Sequence, residues 1–552
     1  MKLSLKRSST PRPAKAEPKA RRIKVRAERP RPLPTRGGYQ TRTYPIWLRT
    51  LLIAAVLAAA LFYGFRFATI GTPSLMMLGA PLALLVVLLI WALPPGEYAP
   101  SGALAPLYFA FIAAQALWPN YLAVVLPGLP WLTVSRTLAS LMVLVILVCV
   151  SVSKAFRGQI RETLAVDPVI WRALLGFSLL QAASILWSPS GTDSLNDFIS
   201  GQIISAAAFF TSLYLFRRAG FAEFWAKTFL VVVAGACFLG LWENQIGVVP
   251  WAGHTPSFLR IDDPVVMKIL AGGARAATGI HRVQSTATTP LSLAELIGMS
   301  SAFAIHFVTW RYPIYIRLLS AAYVVMGLDV IVLTDSRLGF VAWMVSAIFY
   351  LLMWAMVRWR EHRGSILAPA IVFSYPAILI AAFISTFLVG RIRARVWGSG
   401  AQQASTDARK LQWEMAMPKI AENPFGYGIG TAGKVLGFKN QAGVGSIDSY
   451  YLTLLLDFGI VGFVLYFGML IRTIWLGGKL VYDHPSHPES RIAIPFLVSL
   501  IAYIVVKSVL SQETNGAFIY MMLAGCLATV ATVRTEAKAA EAASSDDRVS
   551  LR

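Results

Sequence analysis

Acidic residues, cysteine and histidine are all scarce in this 552-residue chain. Asp and Glu number 27 against 50 Lys and Arg, beside 3 Cys and 6 His. Only 14% of residues are charged, where ordinary globular domains carry about 25%. Cys149, Cys237 and Cys526 each sit inside an apolar run, which argues against a disulfide framework and a thiolate metal site. The histidines are scattered. His484 and His487 share a short loop but have no further ligands beside them, so they read as solvated loop residues. There is no nucleotide-binding loop ending in Lys-Ser/Thr, which argues against a pump driven by its own ATPase.

Apolar residues fill the space that charge leaves, at 56% of the chain. They form runs of roughly 18 to 22 residues, each long enough to cross a hydrocarbon core of about 30 Å. The runs are continuous rather than alternating, which excludes a transmembrane barrel. The expected fold is therefore an all-α polytopic membrane protein of about 12–14 transmembrane helices. Two larger loops on the far side of the membrane are expected to form a partly helical cap.

Spans are expected near 46–65, 73–94, 101–118, 137–153, 168–187, 200–216, 225–242, 287–308, 313–333, 338–357, 367–388, 450–471, 491–510 and 515–533. The segment 119–135 is apolar but broken by Pro127 and Pro130, and reads as an interfacial or re-entrant piece. The chain divides accordingly into seven parts: a tail (1–45), N-terminal helices (46–242), a loop (243–286), helices (287–388), a large loop (389–449), helices (450–533) and a C-terminal tail (534–552).

The net charge of +23 is concentrated at the start, where residues 1–49 hold fifteen Lys and Arg against Glu17 and Glu28. This Pro-rich segment cannot build a packed core and is expected to be disordered. An apolar span follows it at once, so it reads as a cytoplasmic arm lying on anionic inner-leaflet lipid rather than a nucleic-acid binder. No small-residue cleavage site follows the first apolar run, so a removable signal peptide is not expected. Counting spans from a cytoplasmic N-terminus puts Lys154, Arg157, Arg217, Arg218, Arg311, Arg358, Arg360 and Lys479 in inner loops, as the positive-inside rule requires. Both termini then lie in the cytoplasm, and the loops 243–286 and 389–449 lie outside.

Residues 391–450 carry eight basic and four acidic side chains, an excess unusual for a translocated loop. An anionic substrate would account for it. Arg391 stands at the start of this loop, and Arg409 and Lys410 follow on a helical segment with Trp413 and Glu414. Gly426, Gly428 and Gly430 then allow a tight turn or close approach of backbone to a ligand. Asp448 lies at the membrane rim, where it either accepts a proton from a hydroxyl or caps the next helix. In the earlier loop, Arg275, His281 and Arg282 cluster just before a helix whose first turn holds Thr286, Thr288, Thr289 and Pro290, a suitable anion site. Arg337 ends another span, with Asp335 as a possible ion-pair partner. Asp329 lies deeper, as a structural or a functional carboxylate.

Four patterns together resemble the superfamily of bacterial O-antigen ligases and O-antigen or exopolysaccharide polymerases. They are RVQSTATTPLSLAE at 282–295, LTDSRLGF at 333–340, RKLQWEMAMPKIAENPFGYGIG at 409–430 and SIDSYYLTLLLDFGIVGF at 446–463. The resemblance implies a glycosyltransferase of the bacterial inner membrane acting at its periplasmic face, without a metal or other cofactor. Its donor would be a glycan on undecaprenyl diphosphate, and its acceptor another glycan or lipid A core; other polysaccharide assembly and export proteins would be partners, and nucleic acid would not. Arg282 and Arg409 would act in catalysis with Asp448, while Arg275, His281, Arg337, Arg391 and Lys410 would bind substrate. Ligases of this family typically carry a His-Asn pair where this chain has Asp448-Ser449. The histidine base therefore does not carry over; Asp448 or His281 would stand in for it. The departure points toward polymerisation, with ligation as the alternative. A carrier using Asp329 and Lys507, or a scaffold, would be a different class. Carriers usually bind at mid-membrane on broken helices, whereas the polar chemistry here gathers in loops on one face.

Overall fold

Each apolar run from residue 73 onward lies on a helix in the computed structural model. It describes residues 75–126, 131–259, 261, 263–274, 279, 281–362, 364, 366–393, 403–439 and 445–550, with Trp47, Thr50, Leu51, Ala54, Ala58 and Leu61 as single residues. The basic tail falls outside them. Clustering divides the chain into two units, Met1–Ala59 and Ala60–Arg552. In the first, the described residues are helical and exposed.

In the second unit the order is α1 (Leu75–Trp91), α2 (Leu104–Leu117), α3 (Val134–Val152), α4 (Lys154–Leu164), α5 (Pro168–Ser184), α6 (Gly191–Leu215) and α7 (Phe221–Ile246). A short α8 (Pro264–Leu270) and a two-residue ribbon, β1 (Gly273–Ala274) with β2 (His281–Arg282), follow. Then come α9 (Pro290–Thr309), α10 (Ile314–Leu333), α11 (Arg337–Glu361), α12 (Leu367–Leu388), α13 (Gly390–Arg393), α14 (Gln403–Glu422), α15 (Ala432–Leu436), α16 (Tyr450–Asp483), α17 (Pro488–Lys507) and α18 (Gly516–Ser550). Among the described residues, eleven helices are long and apolar enough to cross a membrane, and α2 and the end of α1 are shorter apolar helices. The chain is an all-α polytopic membrane protein.

The reason is the solvent. Lipid offers no hydrogen bonds, so each span must satisfy its own backbone as a helix. Association then rests on close packing and interhelical hydrogen bonds. Helices α9, α17 and α18 are the most enclosed. Trp225 and Phe229 of α7 stack there at 5.0 Å, against Phe303, Phe496 and Phe518. Small residues bring α9 and α11 together: a Cβ on Gly339 would lie 2.9 Å from that of Ala294. Ser346 Oγ donates to the Gly298 carbonyl at 2.8 Å, and Ser499 Oγ to that of Met299 at 2.7 Å.

Helix α16 is broken near its start. Gly459 has φ 65° and ψ −166°, a conformation that essentially only glycine adopts. The backbone groups freed there meet the loop after α14. Ile460 N–H donates to Pro424 O at 3.1 Å, while Leu456 O and Asp457 O accept from Tyr427 and Gly428 at 2.7 and 2.9 Å. The break thus seats the glycine-rich loop beside the first two turns of α16. The described part of the 119–135 segment is not helical until α3 begins at Val134. Val124 and Leu132 form an antiparallel bridge, and Tyr121, Leu122 and Ala123 pack under Ile261 and Val266.

Candidate functional site

The polar loops converge at one end of the bundle, where α9, α11 and α16 begin and α10 and α17 end. Arg282 ends the ribbon, and its Nε donates to the Thr334 carbonyl at 2.9 Å. Val283 N–H donates to Leu333 O at 3.2 Å. These bonds bring Arg282 to the turn that leads into Arg337, the first residue of α11. Both arginines are half-buried. Thr289 caps α9, accepting from Ser292 N–H at 3.3 Å, with Pro290 in the first turn.

A second pair forms beside α16. Arg409 Nε lies 3.8 Å from Asp448 Oδ2, with the side chains 28% and 35% exposed. That separation is an ion pair without a hydrogen bond. Asp448 N–H donates to Gln412 Oε1 at 2.9 Å, which ties α14 to the rim. Ser449, not Asp448, occupies the N-cap of α16, and no side chain caps that helix. Burial pushes the Asp448 carboxyl above its ordinary value, and the Arg409 charge pulls it partly back. Arg409 Nε, Gln412 Nε2, Ser449 Oγ and Ser336 Oγ are buried without hydrogen-bond partners among the described residues. Native proteins rarely leave such groups unmatched unless a ligand or solvent completes them.

The turn between α17 and α18 joins the two pairs. Ser511 Oγ donates to Ile447 O at 2.5 Å, next to Asp448. Gln512 Oε1 accepts from Thr289 Oγ1 at 2.7 Å, at the start of α9. Beneath it, Lys507 and Glu295 form a fully buried ion pair at 3.0 Å. Lys507 also donates to Gln512 O, and Asn515 Nδ2 to Glu295 Oε2 at 2.8 Å. Lys507 is therefore a structural cation holding this turn. Removing one partner of a buried pair leaves an uncompensated charge, so Glu295→Gln should cost about 3–5 kcal/mol. Accumulation in membranes and thermal unfolding of the purified variant would measure that loss.

Other expected site residues fall elsewhere. His281 Nε2 binds Glu243 Oε1 at 3.0 Å. The buried Glu243 also accepts from Ser285 N–H at 2.6 Å and Gln284 N–H at 3.2 Å, so His281 helps anchor its own loop. Lys410 is 79% exposed and pairs along its helix with Glu414 at 3.8 Å, away from the Arg409–Asp448 contact. Arg391 lies on α13, and Arg275 lies outside the described residues. Asp329 is on the exposed side of α10.

The glycine-rich loop closes on an internal anion. Asp457 Oδ1 accepts from Thr431 and Ala432 N–H at 3.0 and 2.7 Å, and its Oδ2 from Gly430 N–H at 3.2 Å. The nest of backbone donors expected to approach a ligand holds this carboxylate instead. Gly428 and Gly430 have φ of 106° and 75°, which turn the donors inward. Sequence reasoning missed Asp457, Glu243 and Gln412. An acidic residue in an apolar stretch is the signal that points to Asp457.

Residues 321–467 match the family model described as O-antigen ligase. That stretch runs from α10 into α16 and contains Arg337, Arg409, Asp448 and Asp457. The match covers about a quarter of the 552 residues and shows that this part of the chain is similar to the O-antigen ligases. No curated protein matches it. That likeness supports polysaccharide-related glycosyl transfer, and lipid-linked and polysaccharide substrates, in general. Arg282 and the loop held by Glu243 lie before the matched region, yet the Thr334 contact joins Arg282 to it.

Proposed function

We propose that the protein transfers glycosyl units from an undecaprenyl-diphosphate-linked glycan to an acceptor hydroxyl at the periplasmic face of the inner membrane. The observation that carries this is the grouping at one end of the bundle of three half-buried arginines with Asp448 and unmatched polar atoms. As the anomeric C–O bond breaks, electrons pass to the departing diphosphate. A guanidinium binds such an oxyanion bidentately and offsets the charge as it develops. Arg282, Arg337 and Arg409 take that role, without a metal. Asp448 accepts the proton of the attacking hydroxyl, and Gln412 and Ser449 orient the acceptor beside it.

Polymerisation of exopolysaccharide or O-antigen repeats is the preferred form of this transfer. The observation favouring it is that a carboxylate stands where ligases of the family carry histidine. Ligation to lipid A core is the second form, favoured by the description of the matching family. Deletion of the gene followed by analysis of surface glycans separates them. Single repeats accumulating on lipid carrier indicate a polymerase. Full polymer on carrier with bare lipid A core indicates a ligase, and unaltered glycans contradict both.

A further inference from the structure

The opposite end of the same helices carries a separate cavity of about 550 Å³. It lies where α9, α11 and α6 end and α7, α10 and α17 begin, so none of its residues belongs to the site described above. Trp310, Arg311, Tyr312, Arg358, Glu361 and Arg491 are among its lining.

Its lining holds three arginines and three glutamates, which are not paired one to one. The Arg491 guanidinium lies 4.6 Å from the centre of the Trp310 ring, and that of Arg358 lies 5.5 Å from the same ring. Arg358 is also 5.8 Å from Trp354. Arg491 is neutralised by Glu361 and donates to Pro485 O at 3.1 Å. Neither of the other two carboxylates in the lining bonds an arginine of the cavity: Glu223 pairs with Lys227 at 2.5 Å, and Glu489 accepts from Gly220 N–H at 3.1 Å. His306, also in the lining, has both ring nitrogens occupied, by Tyr350 and Tyr312 hydroxyls at 3.0 and 3.3 Å. Among the described residues, no carboxylate or carbonyl accepts a hydrogen bond from Arg311 or Arg358. Two guanidiniums therefore share one indole with a single acid bonded to the pair, and a third, on Arg311, is exposed in the lining.

We propose that this cavity binds a phosphate ester, with Arg311 and Arg358 as its ligands. Stacking on indole occupies the face of a guanidinium and leaves its in-plane N–H fork for two phosphate oxygens. The volume is that of a small-ligand site, sufficient for a glycerophosphate group. Such a group is supplied either by a phospholipid headgroup or by a soluble phosphate ester. Neither is connected with the proposed glycosyl transfer.

The test follows thermal unfolding of the full-length protein in uncharged detergent. Glycerol 3-phosphate is compared with glycerol, and short-chain phosphatidylglycerol with the matching diacylglycerol, at equal ionic strength. The phosphate-bearing member of at least one pair should raise Tm, and its neutral counterpart should not. A rise with phosphatidylglycerol alone identifies a lipid headgroup; a rise with glycerol 3-phosphate as well identifies a soluble ester. Arg358→Gln and Arg311→Gln should each weaken the apparent affinity about tenfold, the effect of losing one charge-assisted contact. Arg311 is exposed and makes no described contact, so its variant tests the site even where Arg358→Gln unfolds. No rise with either phosphate compound, or equal affinity in wild type and Arg311→Gln, overturns the proposal.

Discussion

Replacing Arg409 with Ala should lower glycosyl transfer by about 10²–10³-fold, the loss seen when one preorganised donor to a developing oxyanion is removed. Protein abundance should stay at the wild-type level. The ion pair with Asp448 is long and partly exposed, so it adds little to folding. Arg282→Ala should show a similar loss of product. It also forfeits the bond to Thr334, which is worth about 0.5–1.5 kcal/mol. Polymer yield and chain length in cells, normalised to protein in the membrane, measure both variants. Wild-type polymer in both would remove the arginines from the mechanism.

Asp448→Asn should cost about 10²–10⁴ in rate, the range of a general base, while leaving stability unchanged or higher. The sign follows from the raised pKa. A carboxyl whose folded value lies above its unfolded value favours folding below the unfolded value, and that stability is lost as pH rises through the folded one. At neutral pH the ionised group is thus penalised by burial, and a neutral amide of the same shape relieves the penalty. The same shift places the acid limb of the wild-type pH–rate profile above the ordinary aspartate range, because the base must be deprotonated to act. Activity that survives in Asp448→Asn, or an acid limb at the ordinary value, would exclude Asp448 as the base.

The membrane architecture was legible because the physical requirement is simple. A helix of about 20 apolar residues is needed to cross the core, and such runs stand out in any window. Boundaries were less legible where polar residues continue a helix beyond lipid. Helix α6 begins at Gly191, nine residues before its apolar stretch, because Asp193 and Ser194 there meet Lys434 at 3.1 Å and Ile429 O at 2.6 Å. Helix α16 runs on to Asp483 through Arg472, which pairs with Asp167 of the chain before α5 at 2.8 Å.

The site was legible in its charges but not in its pairings. Excess arginine in two long loops marked Arg282 and Arg409, and the end of a span marked Arg337, since positive-inside statistics make such residues stand out. Nothing local to His281 signalled Glu243, 38 positions earlier on α7. The glycine pattern at 426–430 implied a tight turn or a close approach to a ligand, and its backbone donors hold Asp457 instead. That they close on Asp457 depends on the break at Gly459, which only the packing of α16 against Pro424 explains.

The central claim is diphosphate-releasing glycosyl transfer at the end of the bundle that holds Arg409 and Asp448. Its most direct measurement uses purified protein in lipid with an undecaprenyl-diphosphate-linked repeat, following free undecaprenyl diphosphate against lengthened glycan. The account predicts one diphosphate released per linkage formed by the wild type, and neither product above background with Arg409→Ala or Asp448→Asn. Linkage formation at wild-type rates by both variants, or no release by the intact protein supplied with donor and acceptor, would contradict it.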